Sequence, residues 1–310
     1  MVSNRVKGLA FGLCSTIIWG CQYSVSRFLF GTVDGEADPM CLMTIRLFLG
    51  ALALTPVLFF NGGWGKVRSA VREDTRSLVA VAFVVCILEG VLAFASLKFT
   101  TAARSSLLCN ASPIFTVIFA ALAARKWPTW GKYLGMILGF AGLVFALTAR
   151  ASDLYAVNPK TLPGDLMAIG SGVAWAAYTV WGTGTAQRYG GIPCTVVMLV
   201  LGGLMMLPVC LLFGDVASLT RLPPRVWAGV VFLGIADTGW AIALWYTALA
   251  YVDPAALGAY GYLSATIALL VARLVGHEAF DWRFFVAIAL VMGGVALMNH
   301  EKHPAKTNAS

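Results

Sequence analysis

Leu92–Phe115 reads LAFASLKFTTAARSSLLCNASPIF, and Leu244–Ile267 reads LWYTALAYVDPAALGAYGYLSATI. The two stretches align without a gap at an offset of 152 (244 − 92), and the register holds as far as Gly142 and Gly294. It pairs Leu97 with Leu249, Ala103 with Ala255, Ser112 with Ser264, Leu122 with Leu274 and Trp130 with Trp282. Upstream, Gly8, Ser15 and Trp19 recur in the same order as Gly164, Ser171 and Trp175, at an offset of 156 (164 − 8). Identity between the copies is low, but the preserved order divides the chain into two related halves, residues 1–150 and 160–300, with a tail at 301–310.

Both halves are built for a bilayer. Of the 310 residues 59% are hydrophobic and 12% charged, against about 25% charged in a soluble domain. A span of the hydrocarbon core takes roughly 20 residues, and polar punctuation divides the chain into ten such stretches. They lie near Val6 to Phe30, Met40 to Phe60, Ser77 to Leu97, Ala102 to Ala124, Gly131 to Ala149, Gly164 to Gly184, Thr195 to Phe213, Val226 to Ala250, Ala255 to Val275 and Trp282 to Asn299. The alternation of apolar and polar residues that a membrane barrel requires is missing from Leu78 to Leu88 and from Phe284 to Met298. An all-α integral membrane fold is therefore expected. The first apolar stretch is long and has no A-x-A site after it, so the first span is expected to stay in the mature protein.

The net charge of +8 sits in short loops beside the spans and reads as topogenic, with no nucleic-acid partner implied. Arg5 and Lys7, then Lys66, Arg68, Arg72 and Arg76, then Arg125, Lys126 and Lys132, and finally Lys302 and Lys306 all fall on one side if there are ten spans. That side is expected to be the cytoplasm, with both termini there and acidic Asp34, Glu36 and Asp38 outside. Arg150, Lys160, Arg221 and Arg225 run against the bias. Five spans per half is an odd number, so the second half enters the membrane upside down. That is the inverted repeat of alternating-access carriers, whose substrate site lies where the repeats meet. The seven cysteines lie mostly within apolar segments without a C-x-x-C pair, and they read as small buried hydrophobes.

Short motifs add a family resemblance. Trp19-Gly20 in the first span, Pro39 leading to Arg46 in the second, Ser112-Pro113-Ile114-Phe115 in the fourth and Gly276-His277-Glu278 closing the ninth together resemble EamA-type members of the drug/metabolite transporter superfamily. The sequence departs from that pattern at Ala265 and at Ala124-Arg125-Lys126. The resemblance implies ten transmembrane helices as two inverted five-helix repeats. The third, fourth, eighth and ninth spans would line a central path in a multi-pass protein of the inner (plasma) membrane.

Candidate site residues follow from cost. An acidic side chain in mid-span costs about 2.5 to 3.5 kcal/mol on insertion scales, so Glu89 and Asp237 need a reason. They are read as substrate-amine or proton-coupling groups, with paired structural carboxyls as the alternative. Arg46 inside the second span and Arg104 at the start of the fourth suit a substrate carboxylate. Alternatively, Arg46 pairs with Glu89 or snorkels outward, and Arg104 marks the membrane surface. Trp19, Trp175 and Tyr178 are deep enough for a pocket, and Asn110 and Tyr262 offer orienting polar groups. Trp64, Trp127, Trp130, Trp227 and Trp282 fit the interfacial belt. Pro113 is expected to bend or break the fourth span. The glycine faces at Gly8 and Gly12, and at Gly131, Gly135 and Gly139, are expected to pack helices, with a homodimer contact through the fifth span as a further expectation.

The pattern favours a secondary transporter of a small organic metabolite, in the first place an amino acid or similar amphipathic zwitterion, working as an exporter. A phosphorylated-metabolite or nucleotide-sugar antiporter is the alternative within the class. An enzyme would need a nucleophile or metal constellation, and no H-E-x-x-H, G-x-S-x-G or Walker A pattern occurs. A channel would need a filter loop or charged ring. No cofactor, metal or catalytic residue is expected.

Overall fold

The computed structural model describes residues 3–30, 38–148, 159–275 and 282–300. The acidic loop at Asp34 and Glu36, Arg150, the Gly276-His277-Glu278 motif and the tail with Lys302 and Lys306 lie outside the described residues. Regular structure among those described is helical throughout. This follows from the composition, because a chain without water must satisfy its backbone internally.

The helices of the first half are α1 (Asn4–Phe30), α2 (Pro39–Phe60), α3 (Trp64–Glu73), α4 (Thr75–Ser96), α5 (Ala102–Cys109), α6 (Ser112–Ala124) and α7 (Trp130–Thr148). Those of the second half are α8 (Leu162–Trp181), α9 (Thr183–Tyr189), α10 (Gly191–Phe213), α11 (Pro224–Leu249), α12 (Pro254–Gly258), α13 (Tyr260–Val275) and α14 (Trp282–His300). Seven helical stretches are long and apolar enough to cross a bilayer: α2, α4, α10, α11, α14 and the α5–α6 and α12–α13 pairs; α7 adds a shorter apolar one.

Several elements differ from the sequence expectation. The basic stretch after the second span is a helix, α3, which exposes Lys66, Arg68 and Arg72 and buries Ala70. The fourth span, where Pro113 is expected to bend or break the helix, is two helices: α5 stops at Cys109 and α6 restarts at Ser112 with Pro113 in its first turn, where a missing N–H costs nothing. The ninth span divides at the equivalent place into α12 and α13. The sixth is followed by the separate helix α9.

Two further irregularities repeat at the 152-residue offset. Phe83–Leu88 within α4 and Leu233–Ala241 within α11 are π-helical, and the N–H of Glu89 donates to the carbonyl of Val84, five residues back. Such insertions rotate every later side chain relative to an ideal helix, and they favour functional sites.

Helix pairing crosses between the halves. α1 packs on α13 and α6 on α8, α2 on α10 and α7 on α14. Exchanging the two halves returns the same set of pairs. The α2–α4–α10 contact holds the largest core, around Leu47, Leu54, Leu58, Leu78, Val81, Met198 and Leu199. Between α7 and α14 the backbones touch. A methyl group on Gly294 would stand 2.5 Å from the carbonyl oxygen of Gly135, and one on Gly135 would stand 2.6 Å from that of Gly294. The glycine face of the fifth span is thus taken up inside the chain, and a homodimer would need a different surface.

Candidate functional site

A cavity of about 600 Å3 lies where the halves meet. It is lined from both, by α1, α2, α4, α5, α6 and α7 on one side and α8, α11 and α13 on the other.

The charged wall starts from α2 and α11. Arg46 Nη2 lies 2.6 Å from Asp237 Oδ2, with side chains 20% and 5% exposed, so this is a largely desolvated ion pair. The same guanidinium donates to Thr238 Oγ1 at 3.2 and 3.3 Å. With its amide oriented to suit its neighbours, Gln22 of α1 also donates to the Asp237 carboxylate. A buried carboxylate needs such company, since losing one partner leaves an uncompensated charge.

Close backbone approach makes this corner possible. A methyl group on Gly50 would come within 3.0 Å of both the carbonyl oxygen of Gly234 and the nitrogen of Gly239. Only a bare Cα lets α2 sit against the π-helical turn that carries Asp237. That turn also offers carbonyls to α1: Trp19 Nε1 donates to the Asp237 carbonyl at 3.3 Å and Ser15 Oγ to that of Ala241 at 2.7 Å.

Glu89, at the equivalent turn of α4, is treated differently. Its partner is Ser171 of α8, whose hydroxyl donates to Oε1 at 3.3 Å. Arg46 and Asp237 act on it only through space. The pair that Arg46 makes is thus with Asp237 and not, as in the alternative reading, with Glu89, because the π-helical turn and the glycine contact bring Asp237 to α2.

The same cavity has an aromatic floor. Trp19 and Trp175 meet edge to face at 5.0 Å and 83°, and Trp245 packs on both at 5.3 and 5.7 Å. Trp245 is anchored through Nε1 to Thr179 Oγ1 at 3.3 Å. Small hydroxyls of Ser105, Ser106 and Ser112, with Asn110, form the remaining polar wall beside the α5–α6 break. Asn110 donates its amide to the Ser106 carbonyl at 2.8 Å, closing the end of α5.

Of the residues expected in the site, Trp19, Arg46, Glu89, Asn110, Trp175 and Asp237 line this cavity, and Pro113 forms the first turn of α6 beside it. Tyr178 and Tyr262 do not. Tyr178 is fully buried behind the tryptophans, stacked on Tyr246 at 5.6 Å and 22°. Tyr262 is fully buried among Leu107, Leu143, Val291 and Phe140. Both hydroxyls lack a hydrogen-bond partner among the described residues. Arg104 also lies outside the lining, held in a fork by Asp165 (Nε to Oδ1 2.7 Å, Nη2 to Oδ2 2.8 Å). Arg273 is buried, with its guanidinium 4.8 Å from the Phe284 ring centre. Gln22, Ser171, Thr238 and Trp245 complete the site without having been singled out as its members. Gln22 carried a usable signal, an amide in an apolar span next to Trp19.

Comparison with known proteins fits this architecture. The profile of the EamA-like transporter family matches residues 6–148 and again 162–300. An uncharacterized transporter of Archaeoglobus fulgidus is 28% identical over 270 residues, covering 86% of this chain and 90% of the relative. The aromatic amino acid exporter YddG of Ancylobacter novellus is 27% identical over 212 residues, covering 66% and 69%. One solved crystal structure superposes with a TM-score of 0.81 at 22% identity, covering 94% of this chain and 96% of the other. Matched in both halves, this multi-pass membrane protein belongs to the EamA-like transporter family.

Proposed function

We propose that the chain is a secondary carrier for an amino acid with a large apolar or aromatic side chain, exported from the cell by alternating access. The observation that carries this reading is the composition of the cavity between the halves: Glu89 and the Arg46–Asp237 pair share its lining with Trp19, Trp175 and Trp245. Among the described residues Glu89 has a hydroxyl but no cation in contact, so it is the group with capacity for a substrate ammonium. Arg46, shared with Asp237, offers its remaining donors to the carboxylate, and the indoles take the side chain.

A phosphorylated substrate fits less well. Arg46 is the only basic residue among the described lining residues, and it is already committed to Asp237. The Ancylobacter relative, an exporter of aromatic amino acids, supports both the substrate class and the direction. Transport needs no cofactor in this reading. Glu89 alternates between holding a proton and holding the ammonium, so a proton gradient drives net movement. The repeats are inverted, ten spans cross the inner membrane, and both termini are cytoplasmic.

Proteoliposomes test the reading. Counterflow of labelled phenylalanine, tryptophan or leucine is expected to saturate and to exceed that of phosphorylated sugars or nucleosides. Saturable uptake of those alone would overturn it. A cytoplasm-only reporter fused at the C-terminus is expected to be active, and an exclusively external signal there would overturn the topology.

A further inference from the structure

At the opposite end of α2 from α3, two thiols meet. Cys41 Sγ and Cys210 Sγ are 2.9 Å apart, and the residues are 1% and 5% exposed. Cys41 lies in the first turn of α2 in the first half, and Cys210 lies in the last turn of α10 in the second. The remaining cysteines make no sulfur–sulfur contact among the described residues: Cys86 bonds the Met198 carbonyl, Cys194 that of Thr185, and Cys109 contacts Ser105 Oγ.

The surroundings hold the pair in register. Asp38 Oδ1 caps α2, accepting from the N–H groups of Met40 and Cys41 at 2.9 and 3.0 Å. The N–H of Asp38 in turn donates to Ser218 Oγ at 3.3 Å, in the 3-10 turn (Val216–Arg221) that follows α10. Gly214 closes over the sulfurs, where a methyl group would stand 2.9 Å from Cys41 Sγ. The exposed Asp215–Arg221 pair beside this turn marks a water-facing end. On the topology proposed above it is the side away from the basic loops, where disulfides form and persist.

We propose that Cys41 and Cys210 form an intramolecular disulfide that clasps the two halves at the extracytoplasmic end. The oxidant is a disulfide, either that of a thiol oxidoreductase or glutathione disulfide. The thiolate of one cysteine attacks the donor disulfide and expels one donor thiolate. The second cysteine then attacks the mixed disulfide, forms the Cys41–Cys210 bond and expels the other. Two electrons pass to the donor, and the two thiol protons end on its released sulfurs. The sulfurs need to close by roughly 0.9 Å to reach the bonded distance of about 2.05 Å. Burial places the reaction during folding, before the turn after α10 covers the thiols.

The clasp is one-sided. At the other end of the α2–α10 pair Cys194 bonds a carbonyl, not a sulfur, so only the end nearer Arg46 is tied. The link spans 169 residues and restricts the unfolded chain accordingly.

Peptide mapping tests this on full-length protein synthesised and inserted into membranes in the presence of glutathione disulfide, then denatured together with an alkylating agent and digested without reductant. The expected result is a Cys41–Cys210 linked peptide, lost on reduction, with the other five cysteines alkylated. Reduction is also expected to lower Tm by about 5 °C, and the response disappears in C41S. Alkylation of both Cys41 and Cys210 in the oxidised sample would overturn the disulfide. A linked peptide whose reduction leaves Tm unchanged would overturn its role as a clasp. The wild-type map decides the first point even if C41S fails to fold.

Discussion

Asp237 lies within the π-helical segment of its half and Glu89 directly after that of the other, yet the chain pairs the first with a cation and gives the second a hydroxyl. Asp237 has Arg46, Thr238 beside it and Gln22; Glu89 has one hydroxyl, from Ser171. The halves share a scaffold but not a charge pattern. A symmetric cavity would hold two equivalent acids and no preferred orientation for a substrate. Pairing one acid with an arginine creates a direction, with a spare negative charge on α4 and a guanidinium on α2.

The largest expected effect comes from breaking the paired side. Arg46→Ala leaves Asp237 buried without its cation, and such losses cost about 3 to 5 kcal/mol. Thermal unfolding in detergent is expected to show a large fall in Tm that Asp237→Asn in the same chain partly restores. A Tm unchanged by Arg46→Ala would make the pair solvent-screened and the asymmetry unimportant.

Next comes the open side. Glu89→Gln is expected to reduce gradient-driven transport at least about thirtyfold while leaving Tm nearly unchanged, since the group supports little of the fold; this corresponds to about 2 kcal/mol of lost charge-assisted contact. In proteoliposomes the variant is expected to lose its response to an imposed pH gradient but retain some exchange. Intact gradient-driven uptake would assign coupling elsewhere.

The aromatic floor sharpens the same contrast. Trp175→Ala or Trp19→Ala is expected to raise KM about fivefold, as loss of a stacking contact worth about 1 kcal/mol predicts. Tyr178→Phe, one layer behind, is expected to leave KM alone and to raise stability by up to about 1 kcal/mol, because it removes a buried hydroxyl without a partner. A higher KM for Tyr178→Phe would return that tyrosine to the substrate path.

The smallest effect is expected from Ser171→Ala. It removes a 3.3 Å hydrogen bond from Glu89, and an uptake titration is expected to show no more than about a threefold change.

What the sequence discloses, and what it hides, has physical causes. Glu89, Asp237 and Arg46 stand out because ionisable groups in apolar spans are costly enough to signal themselves, and the 152-residue register exposes the two halves. The pairing of Arg46 with Asp237 was hidden because it depends on two π-helical turns and on the Gly50 contact, none of which alters hydrophobic pattern. The same turns rotate the faces of α4 and α11, so counting along an ideal helix misplaces what lies beyond them. Tyr178 and Tyr262 were read into the site because aromaticity reveals depth but not which face of a helix meets the cavity. Asp165 went unnoticed as the partner of Arg104, since an acid in the first turn of a helix is unremarkable on its own. Ser171 was visible as a repeat match to Ser15, though its chemistry was not.

The backbone contact of α7 with α14 has a consequence for how such a protein can change over generations. Residues lining the cavity border empty space, so many substitutions there alter selectivity at small cost to folding. Gly135 and Gly294 have no such latitude, because even one added carbon lies within 2.6 Å of main-chain atoms that cannot rotate away. A saturation library would therefore divide sharply: broad tolerance with shifted substrate preference around Trp19, Trp175 and Ser106, and near-complete intolerance at two glycines that touch no substrate. New specificities can then arise at the cavity wall while that helix seam stays fixed.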